Sequence, residues 1–216
     1  RKDGTLVGLR GRVYADMGAY IRTNAGVVPA KAGQFLLGPY RFPHVRVEVT
    51  AVMTNKTPTG TYRAPGRVEA NFFRERLLDV VARDLGLDPL EFRRKNLITA
   101  DELPYSIGAL VPYEHEAAYD SGDYHTAMHK AMETVRYDEL RKEQAAKREA
   151  FKRGETRDIM GVGISFFTEI VGAGPSKNCD ILGIAMFDSC EIRLHPTGAG
   201  IARGGTKSTG QGHETT

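Results

Sequence analysis

Three glycine-bearing loops contain the side chains that could do chemistry in this chain. They are TGTYRAPGR (59–67), TEIVGAGPSKN (168–178) and GGTKSTGQGHET (204–215). Glycine lets a backbone approach a ligand closely, and the N–H groups at a helix start favour an anion. The first loop lies between a predicted strand and a predicted helix, so its N–H groups and Arg63 would face a ligand beyond the strand end. A tight turn with a solvent-facing arginine is the alternative.

The third loop has the same context of strand, loop and helix start. It contains Gln211, whose amide can both donate and accept hydrogen bonds. It has neither the G-x-x-x-x-G-K pattern of a P-loop nor the G-x-G-x-x-G pattern of a dinucleotide fold. The loops therefore predict a site for a large, polar, anionic cofactor, without naming a reaction.

Patterns for hydrolysis and for zinc are absent from the sequence. It contains no G-x-S-x-G nucleophile elbow and no H-E-x-x-H motif among its six histidines. His125 and His129 lie four residues apart on a polar helical stretch, which is typical of a solvated helix face. We therefore predict no set of metal ligands in this chain.

Composition places the chain among ordinary globular proteins. It has 216 residues, 41% hydrophobic and 26% charged, and a net charge of +3 that gives no support for nucleic-acid binding. Its two cysteines, Cys179 and Cys190, are too few for a disulfide framework and fit a reducing compartment. No apolar run approaches the roughly 20 residues that span a bilayer. We expect a cytoplasmic location, with the inner face of the membrane as the alternative.

Periodicity predicts strands and a helix in the first half. Alternating residues in 5–20 and 43–55 predict two strands, the first typical of the second arm of a hairpin whose first arm is absent. The second strand would be half-buried on the face formed by Val45, Val47, Val49, Ala51 and Met53. A helix from Val68 to Gly86 follows. Its apolar stripe, the pattern of a face that packs on a core, comprises Val68, Phe72, Phe73, Leu77, Val80, Val81 and Leu85.

Capping signals and short apolar runs predict the remaining elements. Asp88 and Pro89 fit the first positions of a short helix through Lys95, and Ser121 or Asp123 fits the cap of a long helical stretch to about Lys152, broken near Tyr137. Residues 97–119 are predicted to be irregular. Short strands are predicted at 161–169, 181–188, 190–196 and 199–205. Strands, helices and strands again indicate an α+β (mixed α/β) fold.

Two motifs give the chain a resemblance to a known family. Residues 60–98, GTYRAPGR followed by a helix and the sequence RRKNL, resemble the molybdenum-binding subunit of the xanthine dehydrogenase and aldehyde oxidase family. Residues 151–198 and 205–216 resemble the carbon monoxide dehydrogenase branch of that family. The resemblance implies part of a molybdopterin-binding domain pair, with 1–120 ending the first domain and 121–216 beginning the second. It also implies an internal fragment that does not turn over substrate alone.

The resemblance further implies the cofactor, the site and the partners. The cofactor would be molybdopterin cytosine dinucleotide with molybdenum, while iron–sulfur clusters and FAD would belong to a small and a medium partner subunit in a dimer of heterotrimers. The residues implied to bind the cofactor are Gln211, Gly212, His213, Glu214 and Thr215. Those implied near the molybdenum are Arg63 and Ala64, and those implied at the substrate pocket are Tyr62, Pro65, Phe166 and Phe167. Core packing is the alternative for the two phenylalanines.

Two departures from the family pattern affect the expected function. The branch that oxidises carbon monoxide has A-Y-R-C-S-F-R, whose cysteine binds copper; this chain has Ala64 at that position, so copper is not expected. The family's catalytic glutamate belongs to a region outside this chain. We expect part of the catalytic subunit of a carbon monoxide dehydrogenase-like molybdenum hydroxylase, which uses water-derived oxygen. Because of Ala64, an aldehyde or N-heterocycle dehydrogenase is an alternative, and a non-catalytic cofactor-binding or assembly module is an alternative of another class.

Overall fold

A computed structural model describes residues 1–22, 25–108, 117–169 and 189–215. They belong to two units, Arg1–Glu169 and Ile170–Thr216. The first unit contains both helices and small sheets, and the described part of the second contains a β-hairpin. This mixture confirms the predicted α+β class. The domain boundary at residue 120 remains a prediction from the resemblance.

The first unit begins with two parallel strands joined by a helical crossover. Strand β1 (Leu9–Gly18) pairs with β2 (Val45–Met53), and α1 (Val27–Gln34) with a 3₁₀ turn at Phe35–Leu37 lies between them in the chain. Parallel strands need a crossover of this kind because a tight turn cannot join them. Both strands are therefore confirmed, whereas a preceding hairpin arm remains a prediction.

The predicted half-buried face of β2 is correct only for its first half. Val45 and Val47 are partly buried, whereas Val49 and Met53 are 38% and 49% exposed. The covering helix α1 has eight residues, about 12 Å of helix, whereas nine residues of strand extend for about 30 Å. Within the described chain, α1 is too short to cover the whole strand.

The next two helices have the predicted limits but not the predicted buried face. Helix α2 (Arg67–Asp84) is followed by Gly86 with a φ of +69°, and α3 (Pro89–Asn96) is capped by Asp88, whose carboxylate accepts from Leu90 N at 2.8 Å. The predicted apolar stripe of α2 is wrong as a core face at Val68 and Phe72, which are 64% and 65% exposed, whereas its member Val81 packs against the core. The face that is buried comprises Ala70, Arg74, Glu75, Leu78 and Ala82.

A short hairpin and two further helices complete the regular structure of the first unit. Strands β3 (Tyr105–Gly108) and β4 (Ala117–Tyr119) pair antiparallel, so the prediction of irregular structure throughout 97–119 is wrong. Helices α4 (Tyr124–Val135) and α5 (Tyr137–Lys152) meet at Arg136, whose φ is +50°, and the carboxylate of Asp123 caps α4. The predicted cap and the predicted break near Tyr137 are confirmed.

The predicted strands of the last third have mixed outcomes. Residues 161–169 alternate between exposed and half-buried as a strand would, but they pair with no strand in the described part of the chain, so this strand remains a prediction. The strand predicted at 181–188 lies outside the described residues. Strands β5 (Cys190–Leu194) and β6 (Gly200–Gly204) are confirmed as an antiparallel hairpin, closed by a hydrogen bond from Gly198 N to His195 O of 2.9 Å.

The hydrophobic core of the first unit lies among its helices, and Leu6 and Leu9 near the start of the chain pack against it. Its buried members are Leu37, Tyr40, Phe42, Leu78, Ala82, Leu90, Phe92, Leu97, Ile107, Met128 and Tyr137. Among the described helices, none is long and apolar enough to cross a membrane.

Candidate functional site

The loop that contains Arg63 begins at a fixed point, the end of the parallel strand pair. A register shift between Asp16 and Gly18 turns the end of β1, and the Asp16 carboxylate accepts from Gly18 N at 3.1 Å and from the Thr54 hydroxyl at 2.6 Å. The ammonium of Lys56 lies 2.7 Å from the same carboxylate. Thr59 N then donates to Met17 O at 3.2 Å. These contacts tie the strand ends together where the loop starts.

The Asp16 carboxylate should titrate far below an ordinary aspartate. Hydrogen bonds from Lys56, Thr54 and the Gly18 N–H lower the pKa of Asp16 from 3.8 to about 2. A lowered pKa stabilises the folded protein above the unfolded value of 3.8, and this contribution is lost as the pH falls through about 2. We expect carboxyl NMR to give this low midpoint and Thr54→Val to raise it. Thr50→Val, at an exposed threonine of β2, is the control, and an ordinary midpoint in the unchanged protein would contradict these contacts.

The end of the loop packs its backbone directly against α1. Ala64 and Gly66 have φ values of +55° and +76°, and Arg67 N donates to Ala64 O at 3.1 Å as α2 begins. A Cβ at Gly66 would collide with the carbonyl oxygen of Val28 and the amide nitrogen of Ala32. Left-handed backbone costs an alanine roughly 1–2 kcal/mol. The surrounding structure therefore holds Ala64 in a conformation that it does not favour.

This loop forms one wall of a cavity of about 480 Å³ in the first unit. Four of the predicted site residues, Tyr62, Arg63, Ala64 and Pro65, line it together. The other walls are Val13, Tyr14, Ala15, Asp16 and Met17 of β1, Val28, Pro29 and Ala32 of α1, Val68, Glu69 and Phe73 of α2, and Thr59 and Gly60. Most of these side chains are apolar, so the cavity suits an apolar ligand with a few polar groups.

The two predicted phenylalanines lie on the extended segment 161–169. Phe166 is half-buried against the core, and its ring meets that of Tyr124 edge to face at 6.3 Å between centroids. Phe167 is 62% exposed. Neither is among the residues that line the cavity. Their place at a substrate pocket remains a prediction.

The glycine-rich loop of the second unit forms a short turn at its end. Gly210 and Gly212 have φ values of +91° and +82°, and Thr215 donates to Gly212 O from its N–H at 2.9 Å and from its hydroxyl at 3.0 Å. The side chains of Gln211, His213, Glu214 and Thr215 are exposed. Amide, imidazole, hydroxyl and backbone N–H groups can all donate to phosphate oxygens. The loop therefore fits a phosphorylated cofactor in its donor chemistry, and Glu214 is its one acidic side chain.

Sequence analysis did not predict a cluster of buried charged side chains between α2 and α3. Its members are Arg74, Glu75 and Arg93, all buried, with Tyr40 beside them. Glu75 Oε1 accepts from Arg74 Nε at 3.0 Å, and Glu75 Oε2 accepts from Arg93 Nε at 2.8 Å. Burial and the Glu75 charge raise the pKa of Tyr40 well above its usual range. A sequence signal existed, because small residues at Ala70 and Ala82 mark the same helical face.

Comparison with known proteins defines the class to which these loops belong. Residues 1–97 match one family model and residues 130–216 match a second, and both are described as molybdopterin cofactor-binding domains. The chain therefore belongs to the molybdopterin cofactor-binding domain family, which confirms the resemblance in its sequence.

Three relatives show the similarity in detail. The carbon monoxide dehydrogenase large chain of Afipia carboxidovorans is 53% identical, over 100% of this chain and 26% of its own length. The structure of a Cu,Mo-CO dehydrogenase in its carbon monoxide reduced state has a TM-score of 0.80 and 52% identity, over 100% of this chain and 27% of that one. Quinoline 2-oxidoreductase from Pseudomonas putida 86 has a TM-score of 0.78 and 33% identity, over 99% and 26%. The chain thus spans about a quarter of the length of these relatives.

Proposed function

We propose that this chain is part of the catalytic subunit of a molybdenum hydroxylase. The observation that supports this most is the cavity of the first unit, because the loop with the family's arginine pattern lines it with Tyr62, Arg63, Ala64 and Pro65. Both halves of the chain match molybdopterin cofactor-binding domains, which supports a molybdopterin cofactor. A non-catalytic cofactor-binding or assembly module is the alternative of another class.

The glycine-rich loop of the second unit is proposed to hold the cofactor. Gln211, His213 and Thr215 would donate to its phosphates, and the backbone around Gly212 would allow close approach. We propose the cytosine dinucleotide form, with iron–sulfur clusters and FAD on two partner subunits in a dimer of heterotrimers. When bound, the cofactor would supply two-electron oxidation of the substrate with oxygen derived from water.

In the first unit, the protein's own groups would place and select the substrate. The apolar side chains contributed by β1 and α1 would contact the apolar part of a substrate. Arg63 contributes a guanidinium at the cavity, and Asp16 and Glu69 contribute carboxylates. The guanidinium of Arg63 has five N–H donors, so Arg63 would orient a polar substrate atom.

Ala64 favours an aldehyde or an N-heterocycle over carbon monoxide as substrate. The solved relative is a Cu,Mo enzyme, whereas the Ala64 side chain is a methyl group that cannot coordinate copper. Quinoline 2-oxidoreductase, another relative, is named for an N-heterocycle. Carbon monoxide remains the alternative, since the carbon monoxide dehydrogenase large chain has the higher identity.

The proposal is tested with the full-length protein purified with its partners. We expect stoichiometric molybdenum, cytidine monophosphate released by acid hydrolysis, and dye reduction that depends on an added aldehyde or N-heterocycle. His213→Ala should lower the cofactor content, whereas Lys142→Ala, on the exposed surface of α5, should leave it unchanged. A cofactor-loaded protein that reduces no dye with any substrate would support the binding module instead. An assembled protein without molybdenum and without pterin would contradict the proposal.

A further inference from the structure

Side chains of two helices bind backbone groups of the extended segment 161–169. Phe166 N donates to Glu75 Oε2 at 3.2 Å, and Phe166 O accepts from the guanidinium of Arg74 at 3.0 Å. Ile164 O accepts from the guanidinium of Arg93 at 3.2 Å. Buried backbone groups need partners, and here α2 and α3 provide them from charged side chains. The charged cluster thus fixes both the position and the register of the segment.

The same two arginines also bind other parts of the first unit. Arg74 donates to Phe35 O at 3.0 Å, which ties the turn after α1 to α2. Arg93 donates to Pro89 O at 3.1 Å and to Glu75 O at 3.0 Å, which ties α3 to α2. Asp79 also pairs with Arg93 at 2.8 Å, and Asn71 also accepts from Arg74, but the carboxylate of Glu75 contacts both guanidinium groups. Glu75 therefore links the two sets of connections.

Stability alone is a weak explanation for this cluster. Arg74, Glu75 and Arg93 are 3%, 4% and 0% exposed. Moving charges out of water costs several kcal/mol per ion, and an apolar replacement of similar volume is often as stable. An apolar side chain cannot hydrogen-bond to backbone groups. The charged cluster hydrogen-bonds to three backbone groups of the segment and so fixes its register. A positioning role accounts for the buried charges.

A second ion pair connects the segment to the cavity loop. Glu169 Oε1 lies 2.6 Å from Arg67 Nε, and the Arg67 guanidinium stacks 4.8 Å from the centroid of the Phe35 ring. Arg67 is the first residue of α2, and its N–H closes the turn on Ala64 O. The end of the segment therefore contacts the residue that ends the cavity loop.

We propose that Glu75 is a positioning residue of the candidate site. With Arg74 and Arg93 it fixes segment 161–169, and the Glu169–Arg67 pair carries that position to the loop Tyr62–Pro65. This inference rests on the proposed function, because only a substrate site gives the position of the loop a chemical consequence.

The test is amide hydrogen exchange, measured by mass spectrometry on the full-length complex with Glu75→Gln. Gln keeps the shape but removes the charge, and a hydrogen bond to a charged group contributes about 1.5–3 kcal/mol. We therefore expect exchange to rise about tenfold or more in peptides covering 161–169 and 59–70. Peptides of α5 should be unchanged. Faster exchange in 161–169 with an unchanged loop would overturn the proposal, since the cluster would then be structural only.

A milder variant keeps the test decisive if Glu75→Gln does not assemble. Glu169→Gln removes only the connection to Arg67, so exchange should rise in 59–70 while 161–166 stays protected. Glu91→Gln, at an exposed carboxylate of α3 paired with Arg94, is the matched control. An unchanged loop in Glu169→Gln would also overturn the proposal. Hydrogen exchange does not depend on catalysis, so a protein without molybdenum or turnover would contradict the proposed function and leave this result standing.

Discussion

Replacing Arg93 with methionine is expected to lower the free energy of unfolding by about 3–5 kcal/mol, because it breaks a buried ion pair and leaves several buried oxygen atoms without their guanidinium donor. Arg93 is fully buried and donates to Glu75 Oε2 at 2.8 Å, with Asp79 also within 2.8 Å. Methionine fills similar volume but donates no hydrogen bond to Glu75, Pro89 O or Ile164 O. Thermal unfolding of the purified protein measures the loss.

The neighbouring arginine is the matched control for this prediction. The Arg94 side chain is 45% exposed and pairs with Glu91 at 3.0 Å, three residues earlier on the same helix. Exposed pairs of this kind contribute about 0.2–0.5 kcal/mol. Arg94→Met should therefore shift the unfolding midpoint only slightly. Equal losses of stability in the two variants would show that Arg93 does not make the buried contacts described here.

Gly66→Ala should be the most damaging small substitution near the cavity. The new Cβ would meet the carbonyl oxygen of Val28 and the amide nitrogen of Ala32, and neither backbone atom can move without shifting α1. Left-handed backbone at a φ of +76° adds roughly 1–2 kcal/mol for an alanine. We expect a combined loss of about 3 kcal/mol or more, with loss of substrate-dependent dye reduction.

Gly86→Ala separates the effect of the collision with α1 from the cost of left-handed backbone. Gly86 has a similar φ of +69° at the end of α2, but a Cβ there would meet nothing within 4 Å. Only the backbone cost of roughly 1–2 kcal/mol applies, so the protein should stay active and lose less stability. A Gly66→Ala variant no worse than Gly86→Ala would contradict the close packing of the loop on α1.

The parts of the fold that sequence analysis predicted are those decided by local chemistry. Asp88 and Asp123 cap helices because their carboxylates reach N–H groups two or three residues ahead, and Gly86 ends α2 because it tolerates a positive φ. Each depends on only a few neighbouring residues. Short sequence windows therefore contain the needed information.

The parts that failed depend on partners distant in the chain. The core face of α2 was misjudged because apolar periodicity ignores charged residues, whereas Arg74 and Glu75 are buried together and neutralise each other. Residues 161–169 alternate as predicted, but the side chains of α2 and α3 that bind their backbone groups were not predicted. No local pattern shows that Glu75 lies beside a segment about 90 residues away.

In the candidate site too, the residues of one local motif were predicted, whereas residues brought in by the fold were not. Tyr62, Arg63, Ala64 and Pro65 are consecutive, so one motif located them, and the structure places all four at one cavity. Phe166 and Phe167 were assigned by resemblance alone. The contribution of Met17 and Pro29 to the cavity follows from how β1 and α1 fold around the loop, which the motif does not encode.

We propose that this chain belongs to a molybdenum hydroxylase whose loop holds no copper at Ala64. The most direct measurement is the ratio of copper to molybdenum in the purified full-length complex, with carbon monoxide-dependent dye reduction of the same preparation. We predict stoichiometric molybdenum, no stoichiometric copper and no dye reduction with carbon monoxide. Stoichiometric copper together with robust oxidation of carbon monoxide would show that the Ala64 loop does not exclude copper.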